Sequence, residues 1–238
     1  MSDSRNHPFL QKPFSVIGHR GAAGHAPENS LEAFEIAFTC GVDAIEFDVK
    51  YVHGELIVFH DDTVERLTTS NGSIDSFSRE ELSELRLRNG EQIPTLEQVW
   101  DIVPPSIGIN IELKGANTGR PVAEFVRTHS HRYLISSFLV GELSQFKAIA
   151  KNVPTALLTR VHDMNVLGTA ASLGVENIHV MDAVADPSYL LAMFNAGFTV
   201  YVFTVNDVAR AFQLRELDVA AIFTDIPADL NPETLVDA

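Results

Sequence analysis

The stretch SVIGHRGAAGHAPENSLEAFEIAFTCGVDAIEFDV, residues 15–49, predicts a strand, a helix and a second strand in succession. Short apolar runs rich in β-branched residues at Ser15–Gly18 and Asp43–Val49 favour strands. Between them, Asn29 is the expected N-cap of a helix that Gly41 ends. A helix that alternates with strands in this way is the repeating unit of α/β folds.

The same alternation recurs along the rest of the chain. Helix start signals are found at Ser78 with Glu81, Thr95 with Gln98, and Asp186 before Pro187. With the two strands above, the predicted strands are Gly108–Glu112, Tyr133–Ser136, Thr155–Leu158, Asn177–Val180, Thr199–Phe203 and Ala220–Phe223. Eight strand–helix units in 238 residues favour a closed α/β barrel of the (β/α)8 type, formed by residues 1–238 as one domain. An open doubly wound sheet is the alternative.

One connection departs from this pattern. The runs Val49–Val52 and Glu55–Phe59 flank His53-Gly54, which predicts a tight turn between antiparallel strands. Residues 61–96 that follow are polar and rich in turn residues before two short helices. We therefore expect a hairpin and a small insertion after the second barrel strand.

Composition excludes several classes of function. A formal net charge of −15 argues against a protein that binds nucleic acid or an anionic membrane surface. The lone Cys40 excludes a disulfide framework, and neither residues 1–12 nor any later stretch has the apolar length of a leader or a membrane span. We expect a cytoplasmic monomer or homodimer. An anionic substrate would need local cations or a bound metal, because the overall field repels it.

Charged side chains cluster at the predicted carboxyl ends of three strands, where a barrel of this kind holds its active site. They are His19 and Arg20 after the first strand, Glu46 and Asp48 in the second, and Glu112 and Lys114 at the third. Because residues 46 and 48 are two apart, they share a face of the strand and repel each other unless a cation lies between them. Oxygen ligands favour Mg²⁺ or Ca²⁺ over zinc. The alternative for each acid is a strand-end salt bridge to Arg20, Lys50 or Lys114.

The hairpin also places a histidine. Folding back about His53-Gly54 sets His60 opposite residue 47 or 48, at the edge of the expected metal site. A change of one residue in register would turn it away, so a surface or capping histidine is the alternative. The following Asp61 could orient the ring or cap the loop.

Nine short motifs occur in order along the chain. They are His19-Arg20-Gly21, Pro27-Glu28-Asn29-Ser30, Glu46-Phe47-Asp48-Val49, Val58-Phe59-His60-Asp61, Ile93-Pro94-Thr95-Leu96, Ile111-Glu112-Leu113-Lys114, Ser137-Phe138, Thr204-Val205-Asn206 and Thr224-Asp225-Ile226-Pro227. This ordered set resembles the glycerophosphodiester phosphodiesterase family over nearly the whole chain. The resemblance implies a TIM barrel that hydrolyses glycerophosphodiesters to glycerol 3-phosphate and an alcohol. It also implies a divalent metal on Glu46, Asp48 and Glu112, and catalytic roles for His19 and His60.

Substrate binding is expected at three further positions. Arg20 and Lys114 would hold the phosphodiester, and Phe203, which stands where tryptophan is usual in the family, would provide an aromatic wall. One histidine would take a proton from the attacking oxygen while the other protonates the leaving group, with His19 expected as base and His60 as acid. Two alternatives remain open: a phospholipase-type barrel acting on a lysophospholipid or phosphoinositide, and a catalytically silent module that binds glycerophosphodiesters.

Overall fold

The computed structural model describes residues 12–235, which contain nine strands, eight α-helices and two short 3₁₀ turns at Ile74–Ser76 and Asp182–Val184. The strands are β1 Ser15–Gly18, β2 Ala44–Val52, β3 Glu55–Val58, β4 Gly108–Leu113, β5 Tyr133–Ser137, β6 Thr155–Thr159, β7 Asn177–Met181, β8 Thr199–Phe203 and β9 Ala221–Thr224. The helices are α1 Leu31–Thr39, α2 Arg79–Glu84, α3 Leu96–Ile102, α4 Gly119–Val126, α5 Val140–Ile149, α6 Asn165–Leu173, α7 Pro187–Asn195 and α8 Val208–Glu216.

Eight of the strands close into a parallel barrel. Hydrogen bonding runs in the order β1-β2-β4-β5-β6-β7-β8-β9, and β9 pairs with β1 again, with Ser15 opposite Ala221. This closure confirms the predicted (β/α)8 barrel, a TIM barrel, and excludes the open sheet. The predicted hairpin is also present, because β3 pairs antiparallel with β2 and Val49 lies opposite Val58.

The barrel has an inner and an outer layer of apolar side chains, as the alternation of side chains along a strand requires. The inner cluster is built from Ile17, Ala44, Leu134, Ala156, Tyr201, Ala221 and Phe223. Alternate strand residues point outward and pack under the helices, as Phe47 does edge-on against Phe34 of α1. Strand positions of the inward parity therefore line the two mouths of the barrel.

The insertion after the hairpin has a small core of its own, formed by Val52, Ile57, Phe59, Val64, Leu67, Ile74, Leu82, Leu85, Leu87 and Ile93. It is also tied to the first helix of the barrel. The Glu91 carboxylate accepts hydrogen bonds from the backbone N–H groups of Leu31 and Glu32, at 2.9 and 3.1 Å. Because those N–H groups begin α1, the insertion lies at the carboxyl end of the strands.

Local details agree with the prediction except at one cap. The capping boxes at Ser78 and Thr95 and the cap at Asp186 are present, and strand ends differ from the predicted ones by up to three residues. The prediction of Asn29 as N-cap of α1 is wrong, because the Ser30 side chain accepts the hydrogen bond from Ala33 N and makes the cap.

Within residues 12–235, no helix is long and apolar enough to cross a membrane. Residues 1–11 of the segment expected to lack a leader lie outside the described residues.

Candidate active site

Three carboxylates converge at the carboxyl end of the barrel. Glu46 and Asp48 share the inward face of β2, and the parallel register sets Asp48 beside Glu112 of β4. One oxygen from each of the three lies within 4.8 Å of the others, and all three residues are buried. The strand placement and the shared face expected from the spacing are therefore present.

Burial and mutual repulsion distort the protonation of this cluster. Desolvation, with the charges of Asp48 and Glu112, raises the pKa of Glu46 well above its usual range. Desolvation and Asp48 likewise raise the pKa of Glu112 to about 7. Among the described residues, Glu46 Oε1 has no hydrogen-bond partner although it is buried. A buried oxygen without a partner beside two further carboxylates fits a hard divalent cation.

Arg20 binds two of these acids in different ways. Its backbone N–H donates to Glu46 Oε2 at 2.9 Å, which its left-handed φ of 51° permits, and its Nε lies 3.2 Å from Asp48 Oδ2. Its Nη1 donates to Glu28 Oε1 at 2.6 Å. Glu28 thereby holds the guanidinium over the carboxylate cluster.

Lys114 is the second cation at the cluster. Its Nζ lies 2.6 Å from Glu112 Oε1 and 3.5 Å from Asp48 Oδ1. Although burial opposes it, the charges of Arg20 and Lys114 hold the pKa of Asp48 below its usual range. The strand-end salt bridges considered as an alternative therefore do occur at these two cations, whereas Lys50 pairs with Asp62 instead.

Asn29, predicted as a cap, instead brackets Asp48. Its Nδ2 donates to Asp48 Oδ2 at 3.0 Å, and its Oδ1 accepts from Asp48 N at 3.3 Å. Asn29 is buried with a left-handed φ of 61°, which asparagine tolerates better than most residues. The Pro27-Glu28-Asn29-Ser30 motif was the sequence signal for this role. The preference of asparagine for helix caps led to the wrong prediction for Asn29.

His19 is held by a carboxylate from the far end of the chain. Its Nδ1 lies 2.7 Å from Asp225 Oδ1, and its Nε2 lies 4.0 Å from Glu46 Oε2. Asn206 in turn fixes Asp225, since its Nδ2 donates to Asp225 Oδ2 at 2.7 Å and its Oδ1 accepts from Asp225 N at 2.9 Å. The His19 ring therefore has one nitrogen fixed and the other directed at the cluster.

His60 shows the same arrangement. Its Nδ1 lies 2.6 Å from Asp61 Oδ1, while its buried Nε2 has no hydrogen-bond partner in the described part of the chain. The backbone bond from Phe59 N to Asp48 O keeps His60 at the edge of the cluster. Burial, with the nearby positive charge of Arg20, lowers the pKa of His60, although Asp48 and Asp61 oppose the shift. This shift favours the neutral form of the ring.

Phe203 lies in an aromatic group across the mouth from the carboxylates. Its ring packs edge-on against Phe138 at 5.9 Å and against Phe223 at 6.4 Å. Phe138 also lies near the carboxylate cluster, because Lys114 Nζ is 5.5 Å from the centre of its ring. Sequence reasoning assigned no role to Phe138, Asp225 or Glu28, although all three stand in the motifs quoted above.

Comparison with known proteins gives consistent matches. The profile of the glycerophosphoryl diester phosphodiesterase family matches residues 19–229. A glycerophosphodiester phosphodiesterase of Bacillus altitudinis is 32% identical over 89% of this chain and 94% of its own, and one of Caldanaerobacter subterraneus is 29% identical over 93% and 96%.

Solved structures give the same result. A phosphodiesterase of Oleispira antarctica, in complex with the product sn-glycerol 3-phosphate, superposes with a TM-score of 0.86 at 27% identity, covering 94% of this chain and 97% of the other. The glycerophosphodiester phosphodiesterase of Thermotoga maritima superposes with a TM-score of 0.79 at 25% identity, covering 93% and 98%.

Proposed function

Because the chain belongs to the glycerophosphoryl diester phosphodiesterase family, we propose that it hydrolyses small glycerophosphodiesters, such as glycerophosphocholine and glycerophosphoethanolamine, to sn-glycerol 3-phosphate and an alcohol. The enzyme class, a phosphoric diester hydrolase, follows from the family itself. The product complex of the Oleispira antarctica relative supports glycerol 3-phosphate as the retained half of the substrate. Such a reaction belongs to the breakdown of glycerophospholipids.

The observation that carries this proposal is the three buried carboxylates beside two oriented histidines. Glu46, Asp48 and Glu112 would hold one divalent cation, Mg²⁺ or Ca²⁺, since they offer only oxygen. When bound, the cation neutralises charge on the phosphate oxygens. Its charge would also offset the burial and the mutual repulsion that raise the pKa values of Glu46 and Glu112.

Arg20 and Lys114 would bind the non-bridging phosphate oxygens. Both cations are already fixed against the carboxylates, so they need little reorganisation when the substrate arrives. With the bound cation, they would offset the charge of the nearby carboxylates in a chain whose net charge of −15 repels the substrate.

The two histidines would carry the proton transfers. The lowered pKa of His60 favours a neutral ring, so we assign it the proton of the attacking oxygen, which its free Nε2 can accept. His19, carrying a proton on Nε2 as well as on Nδ1, would then give its Nε2 proton to the departing alkoxide, with Asp225 balancing the charge of the doubly protonated ring. This order reverses the one expected from the sequence. In each ring the Nδ1–H donates to an aspartate, which leaves Nε2 to exchange the proton.

Release of sn-glycerol 3-phosphate from glycerophosphocholine and glycerophosphoethanolamine tests the proposal. We expect activity that a chelator abolishes and that Mg²⁺ or Ca²⁺ restores. The variants His19→Ala and His60→Ala should each lose about 100-fold or more in kcat. Activity that resists the chelator would remove the metal from the mechanism, and an absence of release from every diester would favour the silent binding module.

One observation favours testing a lysophospholipid as a second substrate in the same assay. The loops after β5 and β6 expose Leu139, Val140, Val161 and Met164, which are between 43% and 62% accessible. An acyl chain could contact such residues. Hydrolysis of lysophosphatidylcholine faster than glycerophosphocholine would replace the water-soluble substrates proposed above.

A further inference from the structure

The mouth of the barrel has two chemically different halves. The alternation of side chains directs into the mouth those strand-end residues that share parity with the inner cluster. On β1, β2, β4 and β9 these are His19, Asp48, Lys114 and Asp225. On β5 to β8 they are Phe138, Arg160, Met181 and Phe203. The proposed chemistry uses the first half and leaves the second with one charged side chain, Arg160.

Arg160 differs from three other cations at this end of the barrel. Arg20, Lys114 and Arg210 each pair with a carboxylate. Arg160 is exposed, and within residues 12–235 it has neither an ion pair nor a hydrogen bond.

The stacking of Arg160 on Phe138 positions it relative to the phosphate site. Its guanidinium carbon lies 4.1 Å from the centre of the Phe138 ring, and Lys114 Nζ lies 5.5 Å from the same ring. A guanidinium stacked on an aromatic face keeps its N–H groups directed outward in the plane, free to donate. Arg160 is thus held on the same Phe138 ring that Lys114, a proposed phosphate ligand, approaches.

We propose that Phe138 and Arg160 form the subsite for the departing alcohol and that Arg160 selects alcohols with an anionic group, a carboxylate or a second phosphate. The proposal rests on the function proposed above. The planar fork of arginine matches the two oxygens of such a group, whereas its charge repels an ammonium group at the same distance. Met181 and Phe203 add neutral walls that do not favour either charge.

Two diesters that differ by one group test this selection. Glycerophosphoserine and glycerophosphoethanolamine share the ammonium group, and serine adds the carboxylate. We expect wild type to favour glycerophosphoserine by about tenfold in kcat/KM, which corresponds to about 1.4 kcal/mol. Arg160→Gln, which keeps a long polar side chain, should bring the ratio close to one, and Arg160→Glu should invert it.

Two controls separate this effect from a loss of structure. Glycerophosphoglycerol has a neutral alcohol, so its kcat/KM should change less than twofold in Arg160→Gln. Arg127→Gln changes an exposed arginine at the end of α4, on the opposite face of the barrel, and should leave all ratios as in wild type.

The outcomes distinguish this proposal from the function on which it rests. An unchanged serine-to-ethanolamine ratio in Arg160→Gln, or an equal loss on all three diesters, would overturn the subsite and make the stacking on Phe138 a packing contact only. A wild-type enzyme that hydrolyses none of the three diesters would overturn the proposed function itself.

Discussion

At the scale of single residues, two aspartates decide what the histidines can do. Asp225 and Asp61 each accept a hydrogen bond from a histidine Nδ1, at 2.7 and 2.6 Å. Such a bond fixes both the tautomer and the orientation of the ring, so that Nε2 faces the carboxylate cluster. Neither aspartate is expected to touch the substrate, and both are positioning residues.

Replacing Asp225 should therefore impair turnover more than binding. In Asp225→Asn we expect kcat to fall about 10- to 100-fold, because the amide can bond the wrong tautomer of His19. Steady-state kinetics on glycerophosphocholine, with kcat and KM separated, measure this. Asp229→Asn, at an exposed aspartate four residues on, is the matched control. A change confined to KM would show that Asp225 does not act through His19.

Asp61 also makes the free energy of unfolding depend on pH in the acid range. Despite partial burial, hydrogen bonds from Arg66 and His60 lower the pKa of Asp61 from 3.8 to about 2. A depressed carboxyl pKa adds stability that is present above about pH 4 and is lost as the pH falls toward 2. Urea unfolding at a series of pH values should show this loss in wild type and a smaller one in Asp61→Asn. An equal dependence of the free energy of unfolding on pH in both proteins would contradict this role of Asp61. The control Asp101→Asn, at an exposed aspartate of α3, should behave as wild type.

At the scale of elements, one buried carboxylate joins the starts of two helices at the active end of the barrel. Glu142, which is 5% exposed, accepts from Asn117 N at 2.9 Å and from Gly119 N at 2.7 Å. These N–H groups lie at the start of α4, where helix donors have no partner of their own helix. The first turn of α5 thus holds the first turn of α4, directly after the strand that carries Glu112.

Gly119 is where this close approach tolerates no side chain. A Cβ there would lie 2.3 Å from the backbone oxygen of Glu142, so Gly119→Ala should lower the free energy of unfolding by about 1–3 kcal/mol. Gly168→Ala is the control, because nothing lies within 4 Å of its Cβ position in α6. That change should stabilise by up to about 1 kcal/mol. Chemical denaturation measures both, and equal effects would contradict the close contact.

At the scale of the whole molecule, this acidic chain places two basic side chains and a candidate metal site at the same end of the barrel. The net charge is −15, yet Arg20 and Lys114 lie together at the one cluster of buried carboxylates found in the described residues. A divalent cation bound beside Arg20 and Lys114 would supply the local positive charge that an anionic substrate requires.

Ion binding should be visible in the stability of the whole barrel. At about 100 times its Kd, Mg²⁺ or Ca²⁺ should add about 2.7 kcal/mol to the free energy of unfolding, a rise of about 5–10 °C in Tm. Glu46→Gln should abolish this rise. It should change the metal-free Tm little, because glutamine keeps an oxygen that can accept from Arg20 N and removes one of three buried carboxylates that repel one another. Calorimetry with and without chelator measures both, and Glu124→Gln, at an exposed position in α4, should keep the full rise. A rise of equal size in Glu46→Gln would remove Glu46 from the ion site.

The sequence by itself determined the strand–helix rhythm and the shared face of Glu46 and Asp48, because both follow from local periodicity. It also indicated the hairpin, whose turn is encoded in two adjacent residues. The set of candidate residues rested on motifs that are contiguous in the chain, so His19, Glu112 and the others could be named before their contacts were known.

Only the tertiary structure decided which residues meet. Asp225 bonds His19 across 206 positions of sequence. Asn29, which the sequence predicted as a helix cap, instead forms hydrogen bonds with Asp48. Arg160 became a candidate because barrel closure sets β6 beside β5, which brings its guanidinium over Phe138. The physical reason is the same in each case. Periodicity fixes the side of a strand on which a side chain lies, whereas its partner depends on the closure and register of the barrel.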